Sequence, residues 1–224
     1  MILKEAIQAR HSVRKYQEQP IEAAKVAALR SRMKDANSRG GLHIQLVLDE
    51  PKAFSSGLLK YGAFSGVRNY LVMAGPAGKD REIGYYGEDL VLFAQTMELN
   101  SCWVGLTYKK IPGTFTLEDG ETVYCVIALG YGENDGTQHP LKPIEKFYEL
   151  PAGCDAPDWF LAGIRAAVLA PTAINQQKFK FRLLPSGKVE ALAGSSMAGY
   201  TRIDLGIAMY HFETGAGKEN FEWV

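Results

Sequence analysis

Cysteine is scarce and shows no pairing pattern. Cys102, Cys125 and Cys154 are odd in number and none stands in a C-x-x-C, so neither a disulfide framework nor a structural zinc site is expected. Charge of one sign is missing too. Lys+Arg and Asp+Glu number 25 each, which leaves no broad basic face for nucleic acid. No apolar run approaches the roughly 20 residues that cross a bilayer. Met1 leads straight into a helical pattern with no apolar leader segment, so a soluble, cytoplasmic protein without a membrane partner is expected. His11, His43, His139 and His211 are scattered, with no i,i+4 pair, and no metal is expected. Gly130-Tyr131-Gly132 lacks the strand–GxGxxG–helix setting of a dinucleotide fold. What remains is a globular chain of 224 residues, 46% hydrophobic and 22% charged, long enough for one large domain or two closely packed halves.

With charge balanced overall, an anion must be held by a local cluster. Arg10-His11-Ser12-Val13-Arg14-Lys15-Tyr16 is such a cluster. A short amphipathic helix, residues 2–7, runs into it, and guanidinium forks suit the paired oxygens of a phosphate or the edge of a flavin-like ring. Taken alone, R-x-S-x-R is also the pattern of a solvated basic turn.

Along the chain, apolar spacing predicts a helix over 21–33, a loop over 35–41 and a strand over 42–48. Residues 50–69 give no clear order, and 70–74 form a short strand buried on both faces. The strongest helical period covers 83–99, with Tyr86, Leu90, Phe93 and Met97 in one stripe and Glu88, Asp89, Gln95 and Glu98 facing outward. Asn100 is placed as its C-cap, and 101–105 as a partly apolar turn. A strand follows over 122–130, then an irregular tail over 138–143. The spacing continues with a helix over 158–170 capped by Asp158, strands over 178–184 and 189–193, and a last helix over 203–213.

The ends of the chain echo each other. Helix, polar loop and strand occur at 21–48 and again at 158–184. A strand ending in Ala-Gly and a helix with an internal glycine occur at 70–97 (Gly87) and at 189–213 (Gly206). An internal repeat of this kind implies two half-units about an approximate twofold axis.

Four of these segments together resemble the nitroreductase family of FMN-dependent flavoproteins. Arg10-His11-Ser12-Val13-Arg14 is similar to that family's R-x-S-x-R/K motif, which grips the flavin phosphate, ribityl chain and pyrimidine edge. Ala170-Pro171-Thr172-Ala173-Ile174-Asn175-Gln176-Gln177 resembles its A-P-S-x-x-N-x-Q loop. Ser101-Cys102-Trp103-Val104-Gly105 resembles the turn along the flavin ring, and 127–132 with Lys142-Pro143 the closing strand and basic tail.

The resemblance implies an α+β fold: a central, mostly antiparallel sheet flanked by helices, in two related half-units. Residues 1–150 would form an N-terminal half. Residues 151–224 would repeat part of it and pack with it into one unit. Ordinary members carry the Pro-Ser-Asn loop early and lend it to a partner subunit. Here the early position holds Asp35-Ala36-Asn37-Ser38 and the good match comes late. That order resembles a divergent single-chain branch, an internal pseudo-dimer expected as a monomer, with a homodimer left open. Lys178 stands where members often have Pro.

An FMN phosphate carries close to two negative charges and needs several charge-assisted donors. Arg10, Ser12 and Lys142 would supply them, with His11 a further cofactor-binding candidate on the same segment, and Arg14 would face the charge that develops at N1 and O2 on hydride uptake. The backbone of Cys102, Trp103, Val104 and Gly105 would lie along N5 and O4, with Gly105 admitting close approach. Pro171, Thr172, Ala173, Asn175 and Gln177 would close over the ring from the other side. The implied reaction takes hydride from NAD(P)H and delivers it to a small electron-poor acceptor, a nitroarene or quinone, with no side chain acting as nucleophile or acid. The rival reading is a non-catalytic flavin-binding or degenerate storage or regulatory module on the same scaffold. For Cys102 and Trp103 the plain alternative is core filling.

Overall fold

The structure, a computed structural model, describes residues 1–55, 64–195 and 199–224. Two sheets and five helices organise these residues. In chain order the first sheet holds β1 (Gln45–Val47), β2 (Asn69–Pro76), β3 (Asn100–Val104) and β4 (Glu121–Gly130), arranged β1-β2-β4-β3 and antiparallel throughout. The second holds β5 (Tyr148–Glu149), β6 (Phe179–Leu183) and β7 (Val189–Ala193). There β5 runs parallel to β6 and β6 antiparallel to β7. The helices are α1 (Leu3–Ala9), α2 (Ala23–Gly40), α3 (Asp80–Thr96), α4 (Asp158–Ala167) and α5 (Thr201–Ala216). The α+β class and the mostly antiparallel central sheet are as expected. None of the described helices is long and apolar enough to cross a membrane.

Sheet and helices share one large core. Leu71, Met73, Cys125 and Ile127 of the first sheet meet Ile83, Leu90, Ile164, Ile207 and Phe212 of the helices and Phe179, Phe181 and Val189 of the second sheet. Phe160, Phe181 and Phe212 are fully buried, and the Phe181 and Phe212 rings stack at 4.6 Å. Each such ring contributes about 2–3 kcal/mol of hydrophobic free energy. The core therefore crosses residue 150 without a seam.

At the centre α3 and α5 cross with their backbones almost touching. A Cβ on Gly84 would collide with the Ile203 carbonyl oxygen, and a Cβ on Gly206 with that of Arg81. The contact is reciprocal: each glycine meets the carbonyl three residues before the other. A shift of 122 residues carries Gly84 onto Gly206. It also carries Glu88 and Asp89 onto Tyr210 and His211, and both crossed pairs are bonded, Glu88 with His211 at 2.8 Å and Asp89 with Tyr210 at 2.5 Å. The sequence echo set Gly87 against Gly206. The packing sets Gly84 there, three residues away, while Gly87 provides a seat for the Trp103 indole.

Several local expectations are corrected. The predicted loop 35–41 is helical through Gly40. Asn37 does its turn work from inside α2, its side chain donating to the Ile44 carbonyl and accepting the Ile44 N–H, while Gly41 caps the helix at φ 59°. Residues 101–105 are mostly strand, because β3 pairs with β4 from Asn100 to Val104. Asn100 therefore opens a strand, and Met97 is the C-cap. Asp158 is the first helical residue behind the N-cap Pro157, and α4 stops at Ala167. Within 50–69, residues 52–54 form a 3₁₀ turn and β2 begins at Asn69, while 56–63 lie outside the described residues. Glu88, Asp89 and Gln95, expected outward, are buried, since α3 is enclosed on nearly every side.

Candidate functional site

Helix α1 is short, and its Ala6 and Ile7 pack on Leu92, Ala166 and Tyr210. That seating fixes where the chain leaves the helix. Arg10 is the C-cap, extended at φ −73° and ψ 116°, and its guanidinium is buried with Nε 3.7 Å from Glu88 Oε1. Burial pulls its pKa down, with Glu88 pushing the other way. Arg10 Nε has no hydrogen-bond partner. Past Arg10 the chain covers the free edge of the first sheet: Ser12 bridges Ser101, and the Val13 N–H donates to the Ser101 carbonyl at 3.0 Å. His11 is half-buried, and its pKa is lowered first by burial and then by Arg10 and His139. Arg14 is exposed.

Strand alternation sorts the next group. Cys102 and Val104 point to the same side as Val13 and Tyr16, and Cys102 is 3% exposed. Burial pushes the Cys102 thiol up against the pull of Arg14. Trp103 points the other way into the main core, its Nε1 donating to Glu88 Oε2 at 2.8 Å. Its indole is therefore structural, and only its backbone shares the Cys102–Gly105 edge. At Gly105 a Cβ would lie 2.8 Å from the Tyr200 hydroxyl, which donates to the Gly105 carbonyl at 3.3 Å.

The late bend between α4 and β6 is wound tightly. Ile174, Asn175 and Gln177 all adopt left-handed backbone, with φ of 48°, 54° and 47°. For a β-branched residue this is a marked outlier, and such outliers gather at ligand sites. Ile174 is also 85% exposed. Pro171 is buried, and the Thr172 hydroxyl accepts the Gln177 N–H at 3.0 Å. Asp204 of α5 accepts the Ala173 N–H at 3.0 Å and the Gln176 side-chain amide at 2.6 Å.

One segment touches both ends of the chain. A Cβ on Gly136 would lie 2.9 Å from His11 Cβ and 3.0 Å from the Ser12 carbonyl. A few residues on, the Pro140 carbonyl accepts from Asn175 Nδ2 at 3.1 Å and Gln177 Nε2 at 2.9 Å. Lys142 closes the join, its N–H donating to Gln177 Oε1 at 3.2 Å and its ammonium to the Gln176 carbonyl at 2.6 Å. The basic amino-terminal cluster thus meets this segment at Gly136, and the Pro-Thr-x-x-Asn bend meets it at Pro140 and Lys142. The head of α5 joins the bend to the 102–105 edge through Asp204 and Tyr200.

The family described as "Putative TM nitroreductase" matches residues 2–216. The chain belongs to the nitroreductase family. It is similar in fold to a "putative nitroreductase" from Thermotoga maritima, at 22% identity and a TM-score of 0.64 over 99% of this chain and 87% of that one. A nitroreductase of B. subtilis aligns at 16% identity and a TM-score of 0.54, over 66% of this chain and 73% of the other. A "putative NADH dehydrogenase/NAD(P)H nitroreductase" from Parabacteroides distasonis aligns at 22% and 0.51, over 66% and 96%. Comparison with curated proteins gives no match.

Sequence reasoning missed the polar hub behind the candidate site of this nitroreductase-family chain. Glu88 is wholly buried and receives Trp103 Nε1, His211 Nε2 and, at longer range, Arg10 Nε. His211 Nδ1 lies 3.0 Å from the Ala166 carbonyl. Both imidazole nitrogens of His211 thus face an oxygen, one of backbone and one of Glu88. Beside it, Asp89 takes a bidentate fork from Arg32 and the Tyr210 hydroxyl. Two adjacent carboxylates beside the apolar stripe of α3 were the available signal.

Proposed function

We propose that this nitroreductase-family oxidoreductase binds FMN between the 10–14 cluster and the 171–177 bend, and passes hydride from NAD(P)H to small electron-poor acceptors such as nitroarenes or quinones. The observation that carries the reading is the 136–142 segment, which touches Ser12 at Gly136 and Asn175 and Gln177 at Pro140.

The donor set fits the group. Arg10 has a buried, unpartnered Nε, Ser12 follows it on the same segment, Lys142 lies at the bend on the Gln176 carbonyl, and burial beside Arg10 and His139 leaves His11 to gain a proton near a dianion. Arg10 and Ser12 would hold the phosphate. Arg14, exposed on the same segment, would place positive charge beside the pyrimidine edge. The Gly105 turn would offer backbone groups at close range, and Asn175 would serve as both donor and acceptor. When bound, FMN supplies a two-electron carrier whose N5 accepts and returns hydride. The chain itself positions the reactants and excludes water.

We further infer that a single chain suffices, since the α3–α5 crossing supplies internally the pairing that two copies of an ordinary member make. Light scattering of the purified protein at one-chain mass would support this, and a stable dimer would count against it.

The test of function is spectroscopic. Purified protein should be yellow, with a band near about 450 nm that NAD(P)H bleaches and a nitroarene or quinone restores. Colour without bleaching would favour the non-catalytic flavin-binding module. A protein that takes up no flavin when FMN is supplied would end the reading.

A further inference from the structure

We propose that Asp204 is a proton-sensitive latch on the 173–177 bend, a positioning residue that holds the bend in its left-handed form only while ionised. The inference rests on the reading of that bend as one wall of the FMN site.

Asp204 lies in the first turn of α5 and is 3% exposed. Oδ1 accepts the Ala173 N–H, and Oδ2 accepts Gln176 Nε2. Gln176 Nε2 also donates to the Gly199 carbonyl at 3.2 Å, which orients the amide and leaves Gln176 Oε1 buried with no partner. The bend that these bonds hold carries three left-handed residues that are not glycine, a conformation that persists only when its surroundings impose it. The same turn of α5 begins at Tyr200, whose hydroxyl reaches Gly105. Asp204 therefore stands behind both walls of the proposed site.

The unpartnered Gln176 oxygen is what makes the latch reversible. A protonated Asp204 carries an O–H on one oxygen and can no longer face two donors. Turning the Gln176 amide over lets Oε1 accept that O–H, and the turn withdraws Nε2 from the Gly199 carbonyl. The ionisable groups beside Asp204 are the buried Cys125 thiol of β4 and, at the head of α5, Tyr200. Its own carboxyl is displaced by burial against two hydrogen bonds, with no cation among the causes, and is pushed up to about 6. The protonation would thus fall in the mildly acidic range.

Two readouts test this, one of them free of flavin. The Ala173 amide proton should titrate by NMR with a midpoint near about 6, and should stop doing so in Asp204→Asn. The dissociation constant for FMN, followed by fluorescence quenching, should weaken ~5-fold between pH 7.5 and 5.5 in the native chain. In Asp204→Asn, whose amide can donate to Gln176 Oε1, binding at pH 7.5 should already be weaker and the weakening toward pH 5.5 that Asp204 causes should be absent. Gln176→Leu should keep the Ala173 titration and lose the part of the pH dependence of binding that Asp204 causes. A native Ala173 amide that does not move between pH 5 and 7 overturns the latch, as does Asp204→Asn binding FMN with the native pH profile. Titration at Ala173 with no FMN bound at any pH would support the latch and remove only the cofactor reading.

Discussion

Gly84 and Gly206 sit face to face where α3 crosses α5, each lying against the carbonyl three residues before the other. Neither backbone can retreat without moving a whole helix. Gly84→Ala and Gly206→Ala should each destabilise the fold by about 2–4 kcal/mol, at or above the usual cost of overpacking. The double variant should cost less than the sum, because separating the helices for one methyl makes room for the other. Urea denaturation of the three variants checks this; strict additivity would argue against a shared crossing.

Glu88→Ala should be among the most damaging single changes in the chain. It leaves the Arg10 charge, the Trp103 N–H and His211 buried without their common acceptor. Removing one partner of a buried charge pair typically costs about 3–5 kcal/mol. Chemical denaturation should show a loss of that order, and near-ultraviolet circular dichroism should report a changed Trp103 environment.

Arg10→Gln should separate phosphate recognition from ring recognition. FMN affinity should fall by about 10–100-fold, the weight of a charge-assisted contact, while riboflavin, which lacks the phosphate, should bind as before. Because burial and the neighbouring Arg10 and His139 lower the His11 pKa, a bound dianion should raise it. Proton uptake on FMN binding just above the free His11 pKa, measured in two buffers by calorimetry, checks the sign. Equal losses for FMN and riboflavin would remove Arg10 from the phosphate.

Asp204 has a consequence for stability that runs opposite to most carboxylates. Its folded pKa is raised from 3.8 to about 6, so the folded chain holds the proton more tightly than the unfolded chain. The stabilisation is full below pH about 4, declines as pH rises through about 6, and amounts to ~3 kcal/mol between those limits. Asp204→Asn should therefore be more stable than the native chain at pH 7, and its stability should lose this component of the slope between pH 4 and 7. Thermal melts across that range decide it.

Ile174→Asn should raise stability by about 0.5–1 kcal/mol. A β-branched residue at φ 48° is costly and Asn tolerates that conformation, while an 85% exposed side chain contributes little packing. An unchanged or lower melting temperature would show that Ile174 packs more than its exposure suggests.

Much of the architecture was legible because it is local. The apolar period of α3, the β-branched run of β4 and the Pro171 bend are written in neighbouring residues. The end of α2 was not, because Asn37 closes a turn from within the helix by reaching Ile44. The edge strand β3 was missed for a related reason: its pairing with β4 is set by residues such as Leu129, far along the chain. Glu88 was placed outward because its partner His211 is 123 positions away, and no window of sequence shows a helix being enclosed from every side. The candidate site was visible as motifs, but not its supports. Asp204, Gln176 and Tyr200 carry no motif, and they matter only because α5 begins beside the bend.

The crossed pairs at the centre, Glu88 with His211 and Asp89 with Tyr210, occupy matching positions yet differ in chemistry. An assembly of two identical copies cannot do this, since every substitution on one side is forced onto the other. Encoding both sides in one polypeptide lifts that constraint. One crossed pair is then free to set a carboxylate against an imidazole and the other a carboxylate against a phenol, which is what the α3–α5 crossing holds.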